Sequence, residues 1–406
     1  MSAVSAMPGG ILAPGGFAVG TAAAGLRSRG GGDDVALIVA DGIAGSAGFF
    51  TRNRFAAAPV QLACEALAAS GGRSRAIVLN AGCANAGTGA AGIDAARAVV
   101  AAVASRVGCD PAEVLPASTG LIGSALAADR IAAAVTNLGL AKGPAAATAA
   151  ARAIMTTDTR PKQAAASVTL AGGRALTVGG MAKGAGMIHP DLATMLAVVT
   201  TDAPISGPDL RILAAPVVER TIGQVSVDGD TSTNDTLFLL ASDAAGGAPI
   251  RPGTEEAETL AAALEAVCTD LARQIAADGE GATRRIDVAV GGAATDAEAR
   301  LAARTIAASP LVKAAVHGAD PNWGRIAAAV GRSGARLDMG RMRVRIGSTL
   351  AFDGAPQAFD EAMARDAMRG EVVEIRVDLG VGDGIGLAWG CDLSAAYVAI
   401  NSEYST

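Results

Sequence analysis

The chain has 406 residues, is 51% hydrophobic but only 3% aromatic, and carries a formal charge of -6. That length has room for one large core or two ordinary ones, filled here mostly by small alanine and valine side chains. An acidic balance with no basic stripe excludes a general nucleic-acid binder, and no uninterrupted apolar stretch approaches the roughly 18 residues of a membrane span.

The opening MSAVSAMPGGILAPGGF lacks a basic region followed by an apolar core, so no signal peptide is expected. A β-branched run predicts a first strand at Val35–Ala40 and a second at Ala76–Leu79. An alanine-rich amphipathic stretch predicts a helix over Gly92–Val107, and Asp110 before Pro111 reads as an N-cap with proline in the first turn. Pro116–Gly123 reads PASTGLIG and is placed between an apolar segment and a helix at Ala125–Leu138. Glycine beside threonine there lets a backbone N–H and a hydroxyl point into one spot, as an oxyanion requires; turns of this composition are also common. A helix over Pro144–Met155 and a strand at Ala175–Val178 follow.

The tract Lys183–Ala203, KGAGMIHPDLATMLAVVTTDA, is the most informative part of the chain. A glycine-rich loop runs into a Pro-Asp turn, then Ala193–Thr194, then a strand predicted at Thr194–Thr200. Thr194 reads either as a plain strand starter or as a nucleophile exposed by self-cleavage after Ala193. In the second case its own α-amine, titrating at about 7.7–8.0, is the general base. With only two histidines, His189 and His317, a histidine-based triad has little material to draw on. Lys183 stands out because the chain has four lysines (Lys142, Lys162, Lys183, Lys313) among 33 basic residues. It reads as a substrate-carboxylate ligand or a solvated loop residue.

After a predicted helix at Asp209–Gln224 comes Asp228–Thr236, DGDTSTNDT, with no apolar side chain. Thr233 and Leu239 occupy the positions where a calcium loop needs glycine and glutamate, so calcium is rejected. The run reads as a self-satisfied loop or as a site wall. A strand at Leu237–Leu240 and a helix at Glu255–Ala277 lead to Glu280 in DGEG, which reads as a backbone cap or as the partner of a substrate ammonium. Further on, strands are predicted at Ile286–Val290, Met342–Ile346, Val372–Val377 and Tyr397–Ile400, with a helix at Thr295–Ala307. GVGDGIG at Gly380–Gly386 is followed by a strand-like run rather than a helix, so it reads as a hairpin and not a dinucleotide cradle. The five cysteines form no C-x-x-C pair, predicting reduced thiols without a zinc site or disulfide framework.

These motifs, in this order, closely resemble the glutamate N-acetyltransferase / ornithine acetyltransferase family of arginine biosynthesis. The resemblance begins with APGGFAVGTAAAGL and includes LNAGCANAGTG, ASTGLIG, AIMTTDTRPK, KGAGMIHPDLATMLAVVTTDA, VDGDTSTNDT, DGEGAT and the terminal YVAINSEYST. It implies an α/β fold, a sandwich of two central sheets flanked by helices, with self-cleavage at Ala193–Thr194. The two fragments, residues 1–193 and 194–406, would assemble two of each. Thr194 would be the nucleophile and Thr119 and Gly120 the oxyanion hole. Thr157, Lys183, Glu280, Asn401 and Thr406 would hold the amino acid. N-acetylornithine and glutamate would be the substrates, with no cofactor, in the cytoplasm; acetyl-CoA stays open as a second donor. His189, Asp191, Leu192 and Arg284 depart from the common family pattern and put substrate preference in doubt more than activity. The alternative readings are a self-processing aminopeptidase-like hydrolase on the same architecture, with water as acceptor, and a non-catalytic binding protein with the Ala193–Thr194 bond intact.

Overall fold

The computed structural model describes residues 4–27, 31–189 and 195–403. Within them the first part of the chain contributes strands β1 (Ser5–Ala6), β2 (Phe17–Ala22), β3 (Val35–Phe50), β4 (Arg73–Cys83), β5 (Val114–Leu121), β6 (Lys162–Thr169) and β7 (Ala175–Lys183). Its helices are α1 (Ala58–Ala69), α2 (Gly89–Val107), α3 (Ala128–Thr136) and α4 (Pro144–Ala153). From residue 195 onward come β8 (Leu196–Thr201), α5 (Gly207–Arg220), β9 (Val225–Ser226), β10 (Thr236–Ala241) and the long α6 (Glu255–Ala277). The last part holds β11 (Arg285–Ala293), α7 (Asp296–Ala307), α8 (Pro310–His317), α9 (Trp323–Gly331), β12 (Arg343–Ile346), β13 (Thr349–Asp353), α10 (Glu361–Ala367), β14 (Val372–Asp378), β15 (Gly384–Cys391) and α11 (Ala395–Glu403).

Among the described residues these strands form a nine-stranded and a six-stranded sheet. The larger runs β1-β6-β7-β8-β10-β3-β4-β5, with β2 also on β3. Strand β3 is long enough to serve two layers. Its first half pairs with β2 and β4, its second half with β10. Alternate side chains show the consequence. Ile38, Ile77, Leu79 and Leu115 share one buried cluster with Met181, Leu196, Val198, Phe238 and Leu240. The two halves of the sheet therefore face each other, as period-two alternation requires of strands buried on both faces. The outer face of β6-β7-β8-β10 packs on α5 and α6, and the outer face of β2-β3-β4-β5 packs on α2 and α3. This is the helix-flanked pair of sheet layers expected from sequence. The six-stranded sheet, order β13-β12-β14-β11-β15-β9, has its own core with α7 and α9.

Local chemistry explains the longest helix. Thr254 caps α6 by accepting from the Ala257 N–H, three glutamates fill the first turn, and Leu260, Leu264, Leu271 and Ile275 form its buried stripe. Three expectations need correction. Gly380–Gly386 is not a hairpin turn: it joins β14 to β15, which flank β11 on opposite edges and do not pair with each other. Pro116–Leu121 of PASTGLIG is not a turn but the end of β5, paired in parallel with β4. Tyr397–Ile400 is not a strand but lies in α11. The preceding β15 already has partners on both edges, β11 and β9, so no sheet edge beside it is open. The segment instead folds back, with Ser394 Oγ donating to the Gly281 carbonyl at 2.6 Å and Asn401 reaching Glu280.

The parts of the chain before and after residues 193/194 are interleaved. Strand β8 pairs antiparallel with β7, Lys183 opposite Leu196, and parallel with β10, which pairs with β3. Residues 1–193 and 194–406 expressed alone should each remain insoluble or unfolded by far-ultraviolet circular dichroism, and co-expression should restore a soluble complex. Either half folding by itself would contradict this reading of the sheet.

Candidate active site

A cavity of about 390 Å³ opens where β5, β7 and β8 meet the DGDTSTNDT segment and the start of the loop after α6. Thr119, Gly120, Thr157, Lys183, Glu280 and Asn401 all line it. Ala193, Thr194 and Thr406 lie outside the described residues; Met195, which follows Thr194 in the chain, lines the cavity.

Gly120 has φ +130°, and a Cβ there would collide with the Gly82 carbonyl carbon. Only glycine permits this approach of β5 to β4, and the pairing register shifts at Gly82 and Cys83. The wall is braced from behind. Asn234 Nδ2 donates to the carbonyls of Ala84 and Ser118 at 2.6 and 2.9 Å, and Ser118 Oγ donates to Asn80 Oδ1 at 2.6 Å. The DGDTSTNDT run is thus a site wall. It is tied to β8 by the Thr236 N–H on the Met195 carbonyl at 2.8 Å and to β3 by Thr51 Oγ1 on the Ser232 carbonyl at 2.7 Å. Asp228 accepts from the Met187 and Ile188 N–H groups. Burial pushes its carboxyl above the ordinary range, against those bonds.

Lys183 ends β7 and is buried. Its Nζ donates to Thr156 Oγ1 at 2.6 Å and to Thr119 Oγ1 at 3.2 Å, and stands 3.9 Å from Asp158 Oδ2. Because Thr119 Oγ1 accepts from an ammonium, its own O–H is left to donate into the cavity. Burial lowers the Lys183 pKa, opposed by the carboxylates of Asp158, Glu280 and Asp235 and assisted by the nearby Lys162 ammonium. Across from it, the Glu280 N–H donates to the Ala185 carbonyl at 2.8 Å, and Glu280 Oε2 accepts from Asn401 Nδ2 at 2.9 Å. A Cβ on Gly186 would meet the Glu280 carboxyl at 2.5 Å, so this glycine makes room for the carboxylate. Tyr397 also lines the cavity; burial, then the charges of Asp228 and Glu280, push its phenol up to about 12. The cavity therefore offers a hydroxyl beside a glycine on one side, a buried ammonium, and a buried carboxylate.

Several contributors are not singled out by the sequence reading as site residues: Asn53, Asp158, Lys162 and Asp278. Lysine scarcity could have pointed to one more of them, since Lys162, like Lys183 and Lys313, is buried. Neither histidine lines the cavity. His189 Nδ1 lies 3.0 Å from Ser226 Oγ, and His317 Nδ1 lies 2.7 Å from Asp392 Oδ2. Among the described residues no group of three or more His, Cys, Asp or Glu is placed to share a metal ion, and no helix is long and apolar enough to cross a membrane.

Two facing sheet layers between helices, with a central strand that begins at the cavity, define the N-terminal-nucleophile class of fold. The model of the ArgJ family matches residues 18–406, and the chain belongs to that family. It is 49% identical over 396 residues to the arginine biosynthesis bifunctional protein ArgJ of Thermus thermophilus, covering 98% of this chain and 100% of that one. It is 45% identical over 408 residues to the protein of the same name from Dehalococcoides mccartyi, covering 100% of each. The crystal structure of the ArgJ protein from Bacillus halodurans is similar at 42% identity with a TM-score of 0.50, covering 51% of this chain and 98% of that one.

The depressed Lys183 pKa has a measurable consequence. The ammonium that would hold a carboxylate is lost as pH rises through a value below that of an ordinary lysine. Affinity for an amino-acid carboxylate, followed by calorimetry, should therefore fall on the alkaline side before free lysine titrates. A wild-type affinity flat to the ordinary lysine pKa would show that Lys183 does not hold the carboxylate.

Proposed function

We infer that this protein transfers the acetyl group of N-acetylornithine to glutamate through an acetyl-Thr194 intermediate, after cleaving its own Ala193–Thr194 bond. The observation that carries this reading is one cavity holding Thr119, Gly120, Lys183 and Glu280, with Met195 in its lining directly after Thr194. The relatives' shared name, arginine biosynthesis bifunctional protein, supports the pathway. The solved Bacillus halodurans chain corresponds to 51% of this one, the length expected of one of two fragments.

In the maturation step Thr194 Oγ attacks the Ala193 carbonyl carbon and the peptide nitrogen leaves, forming an ester. Water then opens the ester and leaves a free α-amine on Thr194. In catalysis that amine takes the hydroxyl proton as Oγ attacks the acetyl carbonyl of the donor. The negative oxygen that develops is met by the Thr119 hydroxyl, which Lys183 leaves free to donate, and by the Gly120 N–H. The ornithine amine departs with the proton. The neutral glutamate amine then attacks the threonine ester, and Thr194 regains its hydroxyl. Every proton has an acceptor in this scheme, so it is complete without a metal or redox cofactor. Lys183 suits the α-carboxylate that donor and acceptor share, Glu280 with Asn401 suits an ammonium, and Thr157 and Thr406 complete the proposed set of substrate ligands. Acetyl-CoA would acylate the same Thr194 as a second donor, which fits the word bifunctional. We propose that the two fragments stay together, two of each, in the cytoplasm.

Incubation with N-acetylornithine plus glutamate, and separately with acetyl-CoA plus glutamate, should yield N-acetylglutamate; release of acetate without transfer would favour the hydrolase reading. Denaturing mass spectrometry should find fragments 1–193 and 194–406, whereas Thr194→Ala should give one uncleaved, inactive chain. A full-length wild type with normal transfer would remove the α-amine as base. Separately, Thr119→Ala should lower turnover by about 10²–10³-fold with little change in KM. A change confined to KM would assign Thr119 to substrate binding instead.

A further inference from the structure

The ammonium of Lys162 is held in the interior by two carboxylates, Asp158 Oδ1 at 2.6 Å and Asp278 Oδ2 at 2.5 Å, with all three side chains essentially shut off from water. Burying three charges carries a large desolvation cost before pairing offsets it, and a surface position would avoid that cost. The network therefore needs an explanation beyond stability.

Its two ends reach the two charged groups of the cavity. Asp158 Oδ1 also accepts from the Gly184 N–H at 2.6 Å, directly after Lys183. Asp158 Oδ2 accepts from the N–H of Thr156 at 3.1 Å, and the hydroxyl of Thr156 in turn takes a hydrogen bond from Lys183. At the other end, Asp278 caps the C-terminus of α6 two residues before Glu280 and is bonded to the N–H and hydroxyl of Thr159. The neighbouring Gln163 and Gln274 exchange main-chain and side-chain bonds at 3.1 and 2.9 Å, locking the start of β6 to the end of α6. Lys162 is thus the common anchor of the segment that presents an ammonium and the segment that presents a carboxylate.

We propose that Lys162 is a positioning residue that fixes the spacing between Lys183 and Glu280, and so sets the length of the amino-acid donor that the cavity accepts. The proposal rests on the acetyl-transfer reading of the cavity. N-acetylornithine carries an α-carboxylate at one end and a side-chain ammonium at the other. A rigid spacing between Lys183 and Glu280 lets both ends bind only at one chain length. A donor one methylene longer, N²-acetyllysine, must buckle or give up one ion pair. With Lys162 neutral, the α6 terminus and the Thr156–Asp158 loop lose their shared counter-ion, and the two cavity charges can move apart.

The test uses the charge-balanced double variant Lys162→Met/Asp278→Asn and the single variant Asp278→Asn, which keeps the Lys162–Asp158 pair. Acetyl transfer to saturating glutamate is measured from N-acetylornithine and from N²-acetyllysine, and calorimetry gives the affinities of ornithine and lysine themselves. Wild type should prefer the shorter donor in kcat/KM by about 10–200-fold, the usual value of one methylene. The double variant should lose about tenfold or more of that preference, through KM, with kcat for N-acetylornithine within a few-fold of wild type. A folded variant with an unchanged ratio, or an equal fall in kcat for both donors, would overturn the proposal. So would failure of both variants to fold, which would leave the network a purely structural role. A wild type that transfers acetyl from neither donor would defeat the functional reading instead, and the ornithine-to-lysine affinity ratio would still decide the spacing.

Discussion

Strand β8 must find hydrogen-bonding partners on both edges while it starts at the mouth of a cavity. It takes β7 from the part of the chain before it and β10 from the part after it. All six of its residues are buried, so neither edge can be left to solvent. This one requirement explains why the parts of the chain before and after residues 193/194 cannot be separated without dividing a core. It also brings Lys183, at the end of β7, beside the first residue of β8. The DGDTSTNDT segment, which leads into β10, is drawn to the same spot by the parallel register of β8 and β10.

Around that strand the polar groups are arranged in depth. The cavity surface presents Thr119, Gly120, Lys183 and Glu280, while behind it Asn80, Asn234 and Asp158 bond the neighbouring backbone at Cys83, Ala84 and Gly184, and Lys162 pairs with Asp158. Asp158 shows how strongly such groups are coupled. Burial alone would raise its pKa, yet the ammonium groups of Lys183 and Lys162 bring it below the ordinary carboxylate range. The Asp392 carboxylate plays a comparable part on the far side of the Glu280 loop, accepting from the Thr283 and Arg284 N–H groups and facing His317. The loop that carries Glu280 is therefore held at both ends, by Asp278 and by Asp392.

Periodicity was a good guide where one face of an element is buried. Helix α6 begins and ends at the residues its pattern predicts, because a threonine cap, an acidic first turn and an apolar stripe all agree. It was a poor guide where tertiary contacts choose the conformation. The β-branched run at Tyr397–Ile400 reads as a strand, but α11 has no buried residues and is held through Asn401 and Ser394. Local propensity cannot register bonds to a loop more than a hundred residues away. PASTGLIG has the composition of a turn because proline, serine, threonine and glycine lie close together in it, and only pairing with β4 makes its residues up to Leu121 a strand.

Residue order alone determined the α/β class, the nucleophile candidate in its tract, and the chemical character of a site made of hydroxyl, glycine, lysine and glutamate. These are carried by local composition, which a single chain displays directly. Only the tertiary structure decided that the larger sheet folds over on itself through β3, and that Lys162 and Asp278 stand behind the charged ends of the cavity. Residues 116 apart in sequence meet there. A buried ion pair depends on the low-dielectric interior that the whole fold creates, and no stretch of sequence can display that environment by itself.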